Sequence, residues 1–394
     1  MDNLPDSIYM DILVSNFQST QVRPTAFNYT DNRSIAFLDN PSAYEMSILR
    51  FQVDCANAPV FIPSIEPNQP DPNRTIYSIT MEYPVNGQVV VHQEFLQFNP
   101  QDKSLPVPPA PSQTWNKQPD LSTGYYSVYN YEFFIYNVNT TMTSCYNNLK
   151  AKVLAINPMA AYPPNRPFMT WDTVQNIAVI TAESKYYDDS PQNPSRIIRI
   201  YMNPPMYNLF SSFPMVFYGF ESVTFGRNFL LGLVNIGTLN QVTITVPYSN
   251  ISYNAIQTFQ EYSTINAWAA IQAIVFTSNT LPVQPTNVSP PVVLSNNQVA
   301  TTPSNNSATA NIITDLVTNS GQYSPSVLYT PTAQYRMISL FGNEPLTNLD
   351  LQIYYRLRDG SLSPFILGSG GSVSIKLGFF LKKKWNDLKN NKPK

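Results

Sequence analysis

The stretch LDLQIYYRLRDGSLSPFILGSGGSVSIKLGFFL, residues 349–381, decides the fold. Leu349, Leu351, Ile353, Tyr355 and Leu357 fall on one side of an extended chain, with Asp350, Gln352, Tyr354, Arg356 and Arg358 on the other. That period of two belongs to a half-buried strand. Asp359-Gly360 follows, and because glycine tolerates the positive φ of a tight turn the pair predicts a hairpin. The chain returns through 363–367, loops through 368–371, and ends with Val373, Ile375, Leu377 and Phe379 alternating with Ser374, Lys376 and Gly378. An isolated hairpin is marginal in water. These strands must therefore close a sheet begun elsewhere, near the N-terminus, which predicts a β-sandwich.

Working outward, residues 44–65 (YEMSILRFQVDCANAPVFIPSI) read as two extended pieces broken at Ala58-Pro59. In the first, Leu49, Phe51 and Val53 alternate with Ile48, Arg50 and Gln52, and Arg50 is expected to pair with a carboxylate or carbonyl. Residues 76–83 and 88–98 flank Asn86-Gly87, the chemistry of a type I′ hairpin turn. Residues 99–123 hold Pro100, Pro106, Pro108, Pro109, Pro111 and Pro119 and form an extended linker. One amphipathic helix follows: Phe134, Val138, Met142, Cys145 and Leu149 recur at helical spacing, which places Cys145 in a buried stripe. A third hairpin is expected over 168–187, and a short helical turn within 197–214. Residues 215–234, almost wholly apolar with Gly219, Gly226 and Gly232, read as buried strand and bends.

Residues 269–283 (AAIQAIVFTSNTLPV) resemble 47–63 (SILRFQVDCANAPVFIP) in kind, a hint of a repeated sandwich module. Residues 284–333 are dominated by Pro, Ser, Thr and Asn apart from 312–317, and are expected to be an exposed excursion or a segment ordered by a neighbouring subunit. The expected partition is an N-terminal β-sandwich module over 1–240, a C-terminal module over 241–381 and a basic tail over 382–394. That tail holds Lys382, Lys383, Lys384, Lys389, Lys392 and Lys394 against one acid, Asp387. Its default reading is a solvated tail; clustered lysines also suit a weak contact with nucleic acid or an acidic partner.

Charged residues make up only 12% of the 394, while 25 Tyr, 22 Phe and 35 Pro are all high counts. A polar but weakly charged surface limits like-charge repulsion and favours extensive protein–protein contact. The net charge of −2 gives no reason to expect general nucleic-acid binding. Cys55 and Cys145 make no disulfide framework. The acidic opening MDNLPDSIYMDILVSNF is unlike a secretory leader, and no apolar run reaches membrane-spanning length. Folding in a cytosol or nucleus without secretion is the expectation.

No nucleotide-binding, CxxC, HExxH or GxSxG motif occurs. His92, the single histidine, has no Cys or paired carboxylates at ligand spacing and reads as a structural strand residue. The pair Asp188-Asp189 sits in a Pro/Ser/Asn loop without an adjacent base. No catalytic residue, metal ligand or cofactor site is therefore assigned, and no enzyme activity is expected. Paired acids that meet only in three dimensions, or aromatic carbohydrate platforms, keep an enzyme and a lectin-like module as rival classes.

Five blocks carry a resemblance: YEMSILRFQVDCANAPVFIP, YYSVYNYEFFIYNVNTTM, MNPPMYNLFSSFP, IVFTSNTLPV and LTNLDLQIYYRLRDGSLSPFILGSGGSVSIKLGFFLKK. In this order, from about residue 8 to 384, they resemble the penton, or minor capsid, proteins of virophages and polinton-like viruses. The resemblance implies an all-β jelly-roll body with a second β-module, tandem or inserted. It implies homopentamers at the five-fold vertices of an icosahedral virion, among trimers of a major capsid protein, and no catalysis. A double-jelly-roll major capsid protein forming trimers is the alternative, with a carbohydrate-binding β-sandwich behind it.

Overall fold

The structure, a computed structural model, describes residues 4–17, 25–54, 59–112, 119–121, 123–193, 195–219, 226–247, 251–288, 292–295, 298–301, 308–317, 326–329, 336–358, 360 and 362–382. Contacts divide the chain into two compact units. One comprises Met1–Pro59, Leu121–Gly124 and Ala270–Lys394; the other comprises Val60–Asp120 and Tyr125–Ala269. The second unit is thus inserted, in sequence, into the first. The expected partition at 240/241 left open whether the second module is tandem or inserted, and the bounds of these units differ from it. The reason is the pairing of the closing strand Ser372–Leu381 with both Ser7–Ser15 and Tyr44–Asp54, which ties the two chain ends into one body.

That body is the expected jelly-roll sandwich. In its first sheet, Ser7–Ser15, Ser372–Leu381, Tyr44–Asp54 and Ser326–Tyr329 lie side by side, and Ile338–Ser339 pairs with the beginning of Tyr44–Asp54. The second sheet runs Ile312–Val317, Ile271–Thr277, Asn348–Leu357, Leu362–Pro364, with Asn28–Asn32 against the start of Asn348–Leu357. All these pairings are antiparallel. Leu349, Leu351, Ile353, Tyr355 and Leu357 are all buried, as are Val373, Ile375, Leu377 and Phe379. The sheets meet through Phe51 and Phe276, whose rings sit edge to face at 5.1 Å. Residues 47–63 and 269–283 are therefore not equivalent strands of two modules: Tyr44–Asp54 and Ile271–Thr277 are strands of the two facing sheets of one.

The alternation expected through Leu49 breaks at a bulge. Lys376 pairs with Arg50 and Leu377 with Ile48, leaving Leu49 without an opposite number. The extra residue lets Met46, Ile48, Phe51 and Val53 all face the core. The expected excursion at 284–333 also contains strands among its described residues. Ile312–Val317 and Ser326–Tyr329 edge the two sheets, and Thr286–Val288 pairs with Ala308–Ala310.

Among its described residues the inserted unit holds two more antiparallel sheets. One runs Met215–Phe217, Phe229–Leu231, Arg199–Met202, Arg74–Val85, Gln88–Gln97; the other runs Gln241–Thr245, Ser252–Phe259, Ile177–Glu183, Phe168–Asp172. At the Asn86-Gly87 turn φ is 49° and 78°, the positive pair a type I′ turn requires. The amphipathic helix spans Tyr131–Ile156, capped by the Asn130 side chain accepting from the Phe133 amide. Its stripe Phe134, Val138, Met142, Cys145 and Leu149 is buried. Phe134 meets Phe61 at 4.3 Å and Trp268 at 5.0 Å, and the Trp268 indole donates to the Leu209 carbonyl at 2.8 Å. Short helices form at Ser184–Tyr187, Pro204–Leu209 and Ile265–Trp268. Within 215–234, Leu230, Leu231 and Leu233 are buried as expected, 220–225 lie outside the described residues, and Val216, Phe217 and Tyr218 depart from expectation, exposed on an edge strand and its continuation. The apolar run does not report its own burial.

Candidate interaction surface

The polar residues singled out from sequence are engaged locally. His92 and Glu94 stand two positions apart on one strand, hence on one face, and their Nε2 and Oε2 atoms lie 2.9 Å apart. Asp188 accepts from the Ser190 amide and hydroxyl and from the Asn235 amide, which makes it the organiser of a loop. Asp189 pairs with Arg199 at 3.2 Å. Burial pushes the Cys145 thiol up to about 12, and its Sγ faces the His92 carbonyl at 3.3 Å. Cys55 lies outside the described residues. No group of three or more His, Cys, Asp or Glu placed to hold a metal occurs among the described residues.

One polar cluster was invisible in sequence. The buried Glu82 carboxylate accepts from the Tyr201 hydroxyl at 2.8 Å and from Arg227 at 2.9 Å, with Arg199 at 3.7 Å. Burial first, and then the hydrogen bond to Glu82, hold the Tyr201 hydroxyl well above its ordinary pKa. Strand pairing brings these groups together across more than a hundred residues, and no local motif announces it. The cluster satisfies a buried charge.

The lysine tail divides. Lys382 donates from Nζ to the Ser42 carbonyl at 2.7 Å and the Leu340 carbonyl at 3.2 Å, so it ties down the end of the closing strand rather than reaching for a polyanion. Lys383, Lys384, Lys389, Lys392 and Lys394 lie outside the described residues.

The outer face of the first jelly-roll sheet is built differently. Register places Asp11, Lys376 and Arg50 in one row across three strands. Asp11 lies 3.3 Å from Arg50 and 3.6 Å from Lys376, two cations sharing one carboxylate, which leaves an excess of one positive charge. Arg50 thus has the carboxylate partner expected for it. Around this row stand exposed Tyr9, Leu13, Phe17 and Leu328, with Leu13 73% exposed. The Lys376 ammonium lies 5.5 Å from the Tyr9 ring centre. A weakly charged sheet face with apolar side chains at its margins suits contact with another protein. No helix among the described residues is long and apolar enough to cross a membrane.

Comparisons with known proteins agree with this architecture. The uncharacterized protein V18 of Sputnik virophage is 35% identical over 157 residues, which is 39% of this chain and 90% of that protein. The structural protein V19 of Sputnik virophage is 28% identical over 207 residues, 52% of this chain and 88% of that protein. A chain in the 3.5 Å cryo-EM structure of the Sputnik virophage superposes with a TM-score of 0.75 at 27% identity, covering 97% of this chain and 99% of that one. The mavirus penton protein crystal structure gives a TM-score of 0.57 at 14% identity, over 95% of this chain and 99% of that one, a likeness of fold. The model of the Sputnik minor capsid protein V18/19 family matches residues 8–382, and the chain belongs to that family.

Proposed function

We propose that this chain is the penton of an icosahedral virion, acting as a structural protein without catalysis. Copies form a ring of five at the vertices and contact a major capsid protein around them. The observation that carries this reading is the family match over residues 8–382, joined to a superposition that spans 97% of this chain and 99% of a chain from the Sputnik virion. The fold is consistent with it. A ring needs two different complementary surfaces on each subunit. A chain with 12% charged residues carries little repulsion against such packing.

Native mass spectrometry of the purified protein at rising concentration tests the proposal. A pentamer supports the penton. A trimer points instead to the arrangement of a major capsid protein, and a monomer that binds carbohydrate to the lectin-like reading.

A further inference from the structure

The outer face of the first jelly-roll sheet holds cationic donors that its own strands leave unused. In the row Asp11, Lys376, Arg50, the arginine is engaged through Nη2 alone, which donates to Asp11 at 3.3 Å and to Ser374 at 3.2 Å. The Lys376 ammonium stands 3.6 Å from the same carboxylate, beyond hydrogen-bond reach, so its three N–H groups are unfilled within the chain. Among the described residues this row keeps one positive charge in excess, with exposed Tyr9, Leu13 and Leu328 around it.

One loop end of the same unit is its reverse. A bridge between Leu38 and Leu346, and the Ser42 amide donating to the Gly342 carbonyl at 3.0 Å, bring Asp39 and Glu344 to that end. Both are exposed, and neither forms an ion pair or a side-chain hydrogen bond. The cations nearby are spent elsewhere: Arg33 pairs with Asp31 at 2.8 Å, and Lys382 donates to the Ser42 and Leu340 carbonyls. Burial first, and then the charges of Asp39 and Asp6, raise the pKa of the Tyr44 hydroxyl beside them. Ile35 and Phe341, 79% and 51% exposed, add apolar surface to the acids. Along Tyr44–Asp54 this end and the cationic row are ~20 Å apart, too far to pair within one copy.

We infer that the acidic loop end of one copy docks on the cationic sheet face of the next. Glu344 and Asp39 meet the unfilled donors of Lys376 and Arg50, while Ile35 and Phe341 cover Tyr9 and Leu13. Opposite charge sets the register of the approach, and the apolar side chains supply buried area. Both surfaces lie on one compact unit, and every copy carries one of each, so the contact is head to tail and repeats around a ring. The inference rests on the penton reading only for the number of copies in that ring.

The test uses the full, unaltered chain as an equal mixture of isotope-labelled and unlabelled protein, treated with a water-soluble carbodiimide. This reagent joins a lysine amine to a carboxylate in contact with it. Mass spectrometry of the digest should show Lys376 joined to Glu344 or Asp39 in mixed-isotope pairs, which arise only between copies, and high salt should suppress them. E344K, in an exposed loop, should raise the concentration needed for half-assembly about tenfold, and adding K376E should recover part of that loss. Lys376 linked to Asp11 alone, no link at Lys376, or E344K assembling like the unaltered chain overturns the inference. A ring of five without these links leaves the penton reading standing, and a trimer that carries them leaves this contact standing.

Discussion

The Leu49 side chain fills the space that a β-carbon on Gly378 would need: its Cδ1 lies 2.8 Å from that position, and the Phe380 ring lies 2.7 Å from it. The bulge at Leu49 and the nearby Gly378, paired with Ser47, are thus one device. The extra residue turns the strand so that Phe51 and Val53 join Met46 and Ile48 in the core, and the glycine makes room for the side chain that is left over. G378A is expected to destabilise the protein by about 1–3 kcal/mol, because Leu49 and Phe380 must both shift within a packed sheet. Urea denaturation of the two proteins measures the difference; equal midpoints and slopes contradict the pairing of bulge and glycine.

Leu377 is fully buried in the strand that holds the first jelly-roll sheet together. L377D places a charge there with no partner, and soluble folded protein should not be recovered. The milder L377A should cost about 2–5 kcal/mol. A normal yield and melting temperature for L377D would remove the basis of the topology.

Asp350 is a buried carboxylate that caps the kink at 278–280. It accepts from the Ser278 hydroxyl at 2.7 Å, the Thr280 amide at 2.8 Å and the Asn279 amide at 2.8 Å. Burial raises its pKa, but the hydrogen bonds from Ser278, Thr280 and Asn279 outweigh burial and hold it below the ordinary 3.8. A lowered folded pKa gives stability that is present above the unfolded value and lost as pH falls through the folded one. Stability should therefore drop below about pH 4. D350N should cost about 1–3 kcal/mol at pH 7, and the gap from the unaltered protein should narrow at pH 3. Denaturation midpoints at the two pH values decide it, and a gap that stays constant counts against the assignment.

With its thiol pushed up to about 12, Cys145 is expected to resist iodoacetamide at neutral pH in the folded protein and to react in denaturant. Mass spectrometry of the peptide that carries it reads both states. Rapid alkylation of the native chain speaks against the helix packing proposed for that stripe.

What was legible in the sequence is what local periodicity encodes. Leu349 to Leu357, Val373 to Phe379, the Asn86-Gly87 turn and the stripe from Phe134 to Leu149 follow from spacing alone, and each is found in its expected element. The partner of the closing strand was legible only as a location near the N-terminus. The insertion of one unit into another was not, since it is a matter of long-range pairing. Leu49 misled because a bulge shifts the period by one residue without changing composition. Val216 and Phe217 misled because apolar character does not distinguish an edge strand from a core strand. Lys382 looked like its neighbours in the tail, yet a hydrogen bond to Leu340 sets it apart. The acidic end of the jelly-roll unit joins Asp39 and Glu344 through the bridge between Leu38 and Leu346, which no window of sequence could have assembled.

A cryo-EM reconstruction of the virion whose genome encodes this chain tests the penton assignment. Density for both units is expected in rings of five at the icosahedral vertices, with the strand Ser372–Leu381 lying between Ser7–Ser15 and Tyr44–Asp54. Density for this chain in trimers across the faces of the shell, or its absence from purified particles, would contradict it.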